Sequence, residues 1–312
     1  MSVRSEIAAL SFEGVRVTYP AASRGTDPVQ ALQGIDLSLR PGVIAGLVGV
    51  NGAGKTTILD LAVGSIRPTS GIIRWFGSPV LDRTVRRRIG FCPAVPVIPQ
   101  DLTLREALFL YAGLRELARN EAARQVAELI GRFRLEPLAA QRISALSTGN
   151  VVRAGLAQAL LGRPDLLLLD ESFAALDPRA QSELRSTLEM VASDGTAVLV
   201  SSHQLDQLEK VAHQAYIVHE GRLIRRLTRD EFRKRRVLVL DVRDLSDEQR
   251  LVMHRRFPGA RGSGDRVLIP LSSDGSDEEE IRSQLVERFA GARILGVQDE
   301  SLESAVLEIA NS

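Results

Sequence analysis

Between Phe12 and Tyr19 the residues Val15, Val17 and Tyr19 alternate with polar ones, and Ile35, Leu37 and Leu39 repeat the alternation before the Arg40-Pro41-Gly42 turn. A period of two puts such residues on one face of a half-buried strand, so both stretches predict antiparallel strands. Val43 to Val48 is instead a continuous apolar run closed by glycine, and Thr56 to Val63 takes up a helical period, giving strand, loop, helix. Thr103 and Glu106 form a capping-box signature ahead of "ALFLYAGLREL", and "EAARQVAELIGRF" keeps a helical period as far as Pro137. Residues from about 101 to 160 therefore read as a mostly helical insertion. Beyond it, the run from Asp165 to Asp170 and "TAVLVSSH" are apolar and too short for helices, which predicts buried parallel strands.

After "AYIVHEGRLI" the texture changes at the charged stretch "RRLTRDEFRKRR", residues 225–236, which reads as a linker. The expected division is a main domain over 1–226 and an accessory α/β domain over 227–312. The second domain is predicted as strand (Val237 to Val242), helix (Asp247 to Phe257), strand (Val267 to Leu271), helix (Ile281 to Phe289) and strand (Ile294 to Val297). A terminal helix from Leu302 closes it. No internal repeat or long low-complexity tract interrupts the chain.

A length of 312 residues exceeds one usual domain and agrees with that division. Forty basic against thirty-nine acidic residues leave a formal charge of +1, so no nucleic-acid partner is expected of the whole chain. The single cysteine, Cys92, rules out an intrachain disulfide and fits a reducing compartment. The N-terminal "MSVRSEIAALSFEG" lacks the apolar core of a signal peptide, and no run of about 18 apolar residues is long enough to span a bilayer. A role at a membrane would then need another chain to carry the protein there.

The candidate chemistry begins at "GVNGAGKTT", Gly49 to Thr57, which matches G-x-x-x-x-G-K-[ST] between a predicted strand and a predicted helix. Within this loop, formed by Gly49, Asn51, Gly52, Ala53, Gly54, Lys55, Thr56 and Thr57, Gly52 and Gly54 let backbone N–H groups curl around phosphate oxygens. Lys55 supplies a cation for β and γ phosphates, and the Thr56 hydroxyl suits magnesium. "LLLLDES" ends a buried strand with Asp170 and Glu171, a pair too costly to bury without partners. Asp170 fits a magnesium site through the ion's hydration shell, and Glu171 fits a base for an attacking water. "VLVSSH" brings His203 to a neighbouring strand end, where its imidazole is a candidate γ-phosphate contact. A second glycine turn, Ser147-Thr148-Gly149-Asn150, precedes the apolar helical run "VVRAGLAQAL" and offers another set of helix N–H groups for phosphate.

With these pieces assembled, residues from about 10 to 225 resemble the ATP-binding subunit of ABC transporters of the exporter type, in the order and spacing of "GVNGAGKTT", "LSTGN", "LLLLDES", "ALD" (Ala175 to Asp177) and "SSHQL". The resemblance implies a P-loop ATPase fold with a mixed sheet core, an antiparallel β subdomain and a helical insertion. It implies ATP and Mg2+ as cofactors, Tyr19 stacking on adenine, Ser147 and Gly149 touching γ phosphate, and Asp177 reaching across a dimer. The signature turn of one subunit then closes over ATP held by the phosphate loop of another, which gives the second turn its purpose. The implied partners are a second ATP-binding subunit, identical or related, and an integral membrane permease that holds the protein at the cytoplasmic face of the cell membrane. The tail "SLESAVLEI" resembles that of the exporter-type accessory domain, though a generic amphipathic helix reads the same way.

Several residues depart from that family pattern. Ala94 stands where a glutamine usually reaches magnesium near the membrane partner, and Gln100 replaces it only if the proline-rich stretch Pro93 to Pro99 folds back. Thr148 replaces the first glycine of the usual LSGGQ, Asn150 its glutamine, and Ser172 the proline after the catalytic glutamate. Thr148 is expected to pay for a positive φ that glycine adopts freely. ATP binding and dimer closure are expected to persist with slower or differently coupled hydrolysis. The arginines at 83–88 and 225–236 read as solvated helix faces, or as surfaces for lipid headgroups or an acidic partner. Competing assignments are a non-transporting nucleotide switch and a soluble ABC ATPase acting on a macromolecule. The latter usually carries two cassettes or a long coiled coil in one chain, and this chain has neither.

Overall fold

The structure is a computed structural model that describes residues 7–20, 27–203, 205–233, 236–258, 260, 262, 265–272, 276–289 and 291–299. The chain divides into two compact units between Leu227 and Thr228. The first unit opens with β1 (Leu10–Tyr19) and β2 (Val29–Leu39), antiparallel neighbours, followed by β3 (Ile44–Val48) and α1 (Lys55–Val63). Then come β4 (Ser70–Trp75), α2 (Arg83–Arg87) and β5 (Ile89–Cys92). The helical region holds α3 (Leu104–Leu114), α4 (Arg119–Arg132) and α5 (Thr148–Leu160). β6 (Leu166–Leu169), α6 (Pro178–Ser193), β7 (Ala197–Ser201), α7 (Leu205–Val211), β8 (Gln214–His219) and β9 (Arg222–Thr228) complete the unit.

Six strands make the central sheet in the order β5-β6-β7-β3-β8-β9, and β5 through β8 pair in parallel. Every residue of β3, β6 and β7 is buried, as expected of strands covered on both faces. β2, β1 and β4 form a separate antiparallel sheet, whose Phe12, Val15 and Ile35 join Leu47, Ile58, Leu168 and Leu199 in one core. The indole of Trp75 donates to the Ala62 carbonyl at 2.6 Å, fixing β4 to α1. α3 starts with the expected capping box of Thr103 and Glu106.

The division between the two units falls within the charged segment 225–236, whose described residues carry regular structure on both sides of it. β9 continues through it to bury Leu227, and α8 (Arg229–Arg233) follows. Glu231 accepts hydrogen bonds from the Thr228 N–H (2.7 Å) and hydroxyl (2.8 Å), so Thr228-x-x-Glu231 caps α8. The arginines near α2 find partners within the chain. Arg83 and Arg87 pair with Glu116, while Arg88 pairs with Asp165 and sits 3.7 Å from the ring centre of Phe76.

The second unit contains β10 (Arg236–Asp241), α9 (Asp247–Arg256), β11 (Arg266–Pro270), α10 (Glu278–Arg288) and β12 (Arg293–Asp299). Its sheet runs β11-β10-β12 with both pairings antiparallel. Leu238, Leu240, Met253, Phe257, Ile269, Leu285 and Phe289 form its own core. The helix expected from Leu302 lies outside the described residues.

Candidate functional site

Because β6, β7 and β3 are adjacent and parallel, their carboxyl ends open on one edge of the sheet, where ligands of open α/β sheets usually bind. The glycine loop leaves β3, the two carboxylates leave β6, and the histidine leaves β7 between them. Sequence positions 49–57, 170–171 and 203 thus converge through strand order alone.

The loop ends on α1, whose N-cap Gly54 (φ 108°) supplies no side-chain cap and whose first turn has no acid. Uncapped N–H groups and the positive end of the helix dipole make this start receptive to an anion. Gly52 also has positive φ (80°), as a curling loop requires. Gly49 is needed for a different reason: a Cβ there would lie 2.2 Å from the Val218 carbonyl oxygen of β8. The Lys55 ammonium is almost buried and donates to the carbonyls of Gly49 (2.7 Å) and Val50 (3.2 Å), with Glu171 Oε1 3.9 Å away. Asn51 and Thr56 are exposed, Ala53 is buried and Thr57 lies half-buried within the first turn of the helix.

Asp170 is 5% exposed, and its carboxylate is held by two hydroxyls rather than by a cation. Ser201 Oγ donates to Oδ1 at 2.5 Å and Thr56 Oγ1 to Oδ2 at 3.2 Å. A buried carboxylate beside a threonine hydroxyl fits a hard divalent cation that takes most of its ligands from water and phosphate. Burial, and secondarily the charge of Asp170, raise the pKa of nearby Asp60. Burial pushes the Cys92 thiol up to about 12, against a hydrogen bond from Ser172 and with a further push from Asp170.

Glu171 adopts a left-handed backbone (φ 46°), uncommon for a side-chain-bearing residue. Its N–H is taken by Ser201, at 3.1 Å to the carbonyl and 3.0 Å to Oγ. Its Oε2 receives the His203 N–H at 3.1 Å and lies 2.7 Å from His203 Nδ1. A neutral imidazole that donates through Nδ1 to this carboxylate keeps no proton on its other nitrogen. Donating to a phosphate as well requires a second proton on the ring.

Ser147 caps α5 and accepts from the Asn150 N–H at 3.4 Å, so Thr148 is already the first helical residue. The expected strain at Thr148 does not arise, because Thr148 is not among the positive-φ residues. Gly149 backs onto the Ala175 carbonyl oxygen, 3.1 Å from where a Cβ would sit. Both carboxylate oxygens of Asp177 are occupied within the chain. Oδ1 caps α6 through the Ala180 N–H (2.9 Å), and Oδ2 pairs with Arg153 of α5 (2.7 Å). Tyr19 is 38% exposed at the end of β1, paired with Val29 two residues before Ala31, which abuts Gly54. Ala94 is exposed, and Gln100 turns to the Ile98 carbonyl (3.2 Å) instead of joining Thr56 and Asp170. Ser172, in the usual proline position, is buried with its hydroxyl 3.4 Å from the Asp170 carbonyl oxygen. Sequence reasoning missed Ser201 and Arg153; the serine pair before His203, polar at the end of an apolar strand, was the available signal for the first.

Residues 32–174 match the ABC transporter family. The chain is 34% identical to the Nod factor export ATP-binding protein I of Burkholderia thailandensis over 220 residues, 70% of each chain. It is also 34% identical to the bacitracin transport ATP-binding protein BcrA of Bacillus licheniformis over 222 residues, 70% of this chain and 71% of that one. A solved ATP-binding subunit of an ABC transporter superposes with a TM-score of 0.64 at 28% identity, covering 71% of this chain and 90% of the other.

Proposed function

We propose a working cycle for this chain, which belongs to the ATP-binding proteins of the ABC transporter family. It is an ATP-binding and ATP-hydrolysing subunit of the exporter type, and the roles of its residues are inferred as follows. The observation that carries the cycle is the convergence of Lys55 and Thr56, Asp170 and Glu171, and His203 at the ends of three adjacent parallel strands.

The N–H groups of Gly52 to Thr57 receive the phosphates of ATP, and Lys55 leaves the carbonyls of Gly49 and Val50 for the β and γ oxygens. Tyr19, exposed at the strand end, stacks on adenine. Thr56 and Asp170 would hold Mg2+, which when bound would neutralise charge on the terminal phosphates. Glu171 accepts a proton from the water that attacks the γ phosphorus, the bond to the β-phosphate oxygen breaks, and ADP and phosphate result. His203 holds the Glu171 carboxylate in position.

The partners are a second ATP-binding subunit, identical or related, and a membrane permease that keeps the chain at the cytoplasmic face of the membrane. No helix among the described residues is long and apolar enough to cross a membrane. Ser147 and Gly149 meet the γ phosphate held by the other subunit. Asp177 reaches that subunit by giving up Arg153 or its helix cap. Calorimetry tests this: Lys55→Ala abolishes tight Mg-ATP binding, whereas Glu171→Gln keeps it and loses about 10² or more in turnover. Unchanged ATP affinity in Lys55→Ala removes the phosphate-loop assignment, and full activity in Glu171→Gln removes the base.

A further inference from the structure

We propose that Ser201 is the positioning residue of the hydrolytic site, one hydroxyl that fixes both the metal-side carboxylate of Asp170 and the backbone of the base, Glu171. This rests on the ATPase reading above. The side chain is fully buried at the end of β7, between the strands that deliver Asp170 and Lys55. Its Oγ donates its only proton to Asp170 Oδ1 at 2.5 Å and accepts the Glu171 N–H at 3.0 Å. Thr56 takes the opposite oxygen of Asp170, so the carboxylate is gripped at both ends and cannot rotate about its last bond. The second contact anchors a strained residue. Glu171 stands at φ 46°, a conformation that persists only when its surroundings hold it. Two residues along, His203 grips the Glu171 carboxylate. The end of β7 therefore holds the backbone of the base with Ser201 and its side chain with His203.

Two consequences separate this role from mere core packing. Without the hydroxyl, Asp170 is a buried carboxylate lacking one donor, so the metal-dependent part of nucleotide binding suffers while contacts of Lys55 and the loop with phosphate do not. Glu171 also loses an anchor, so turnover falls on top of any change in binding.

The test uses the full chain with Ser201→Ala, Ser201→Thr and Ser201→Cys, read by calorimetry with ATP in EDTA, calorimetry with Mg-ATP, thermal unfolding, and steady-state kcat and KM. Ser201→Ala is expected to leave metal-free ATP affinity within twofold. It should weaken the gain from Mg2+ by about tenfold and lower kcat by about tenfold or more, the scale of losing one hydrogen bond to a buried charge. Ser201→Thr keeps the hydroxyl and restores both within threefold. If its extra methyl lowers the unfolding temperature, Ser201→Cys serves as the comparison, since it keeps the shape, lacks a strong donor and should behave like alanine. Equal losses with and without magnesium, or full kcat and magnesium response in Ser201→Ala, overturn the role. Retained Mg-ATP affinity in Lys55→Ala overturns the ATPase site itself; loss there with an unaltered Ser201→Ala overturns Ser201 alone.

Discussion

Replacing Gly49 with alanine tests how the loop is built, because the obstacle is space rather than φ. The new Cβ would stand 2.2 Å from the Val218 carbonyl oxygen and 3.1 Å from Ala53 Cβ. A carbon and a non-bonded oxygen need about 1 Å more than that. Neither side yields cheaply. Val218 continues β8, whose Ile217 pairs with Val48 in the ladder immediately before the loop, and the Gly49 carbonyl accepts from Lys55 at 2.7 Å. Overpacking of this kind costs about 1–3 kcal/mol. For a unit of this size that corresponds to a fall of about 2–12 °C in unfolding temperature. A displacement of about 1 Å in a phosphate cradle should also cost about 10² in function. Gly113→Ala is the matched control: nothing lies within 4 Å of its added Cβ and it sits in α3, so the same chemical change should stabilise by about 0.5 kcal/mol. Scanning calorimetry and ATP titration of the two variants decide the matter. Gly49→Ala with unchanged unfolding temperature and ATP affinity within twofold would refute the close-packed loop.

Further expectations concern other parts of the same edge. Cys92 is buried with a thiol pKa of about 12, so the thiolate fraction at pH 8 is about 10⁻⁴ and maleimide should label the native chain only on unfolding; rapid labelling of folded protein contradicts that environment. A double-mutant cycle of Arg153→Ala and Asp177→Asn should give a coupling of at most about 1 kcal/mol, given the exposure of Asp177, and additive single effects would mean the pair contributes nothing. Ala94→Gln should change ATPase rate more with the membrane subunit than without it, and equal effects in both settings would deny that position a coupling role.

Much of the site is legible in the sequence because it consists of local motifs on strongly patterned elements. The run into Asp170 reads as a buried strand, and "GVNGAGKTT" fixes its own turn and helix start. What stays hidden depends on which strands become neighbours. Ser201 lies thirty-one residues from Asp170, and only the β6–β7 pairing joins them. Arg153 and Asp177 meet because α5 packs by the loop after β6, which no spacing announces. β5, four residues long, offered too little period to register as a strand. Thr228-x-x-Glu231 was readable as a cap, yet the short α8 that it opens did not register inside the charged stretch. At Thr148 the family comparison pointed to backbone strain, whereas capping by Ser147 places Thr148 inside the helix.

The claim that two chains share each ATP is tested most directly by light scattering on the full-length Glu171→Gln protein. A nucleotide that bridges two chains stabilises their association by its own binding energy. The measured mass should be that of one chain without nucleotide and of two at saturating Mg-ATP, and adding Ser147→Arg should return it to one. A mass of one chain at saturating Mg-ATP would contradict the account, because the turn at Ser147 and Gly149 would then be reading no neighbour's phosphate.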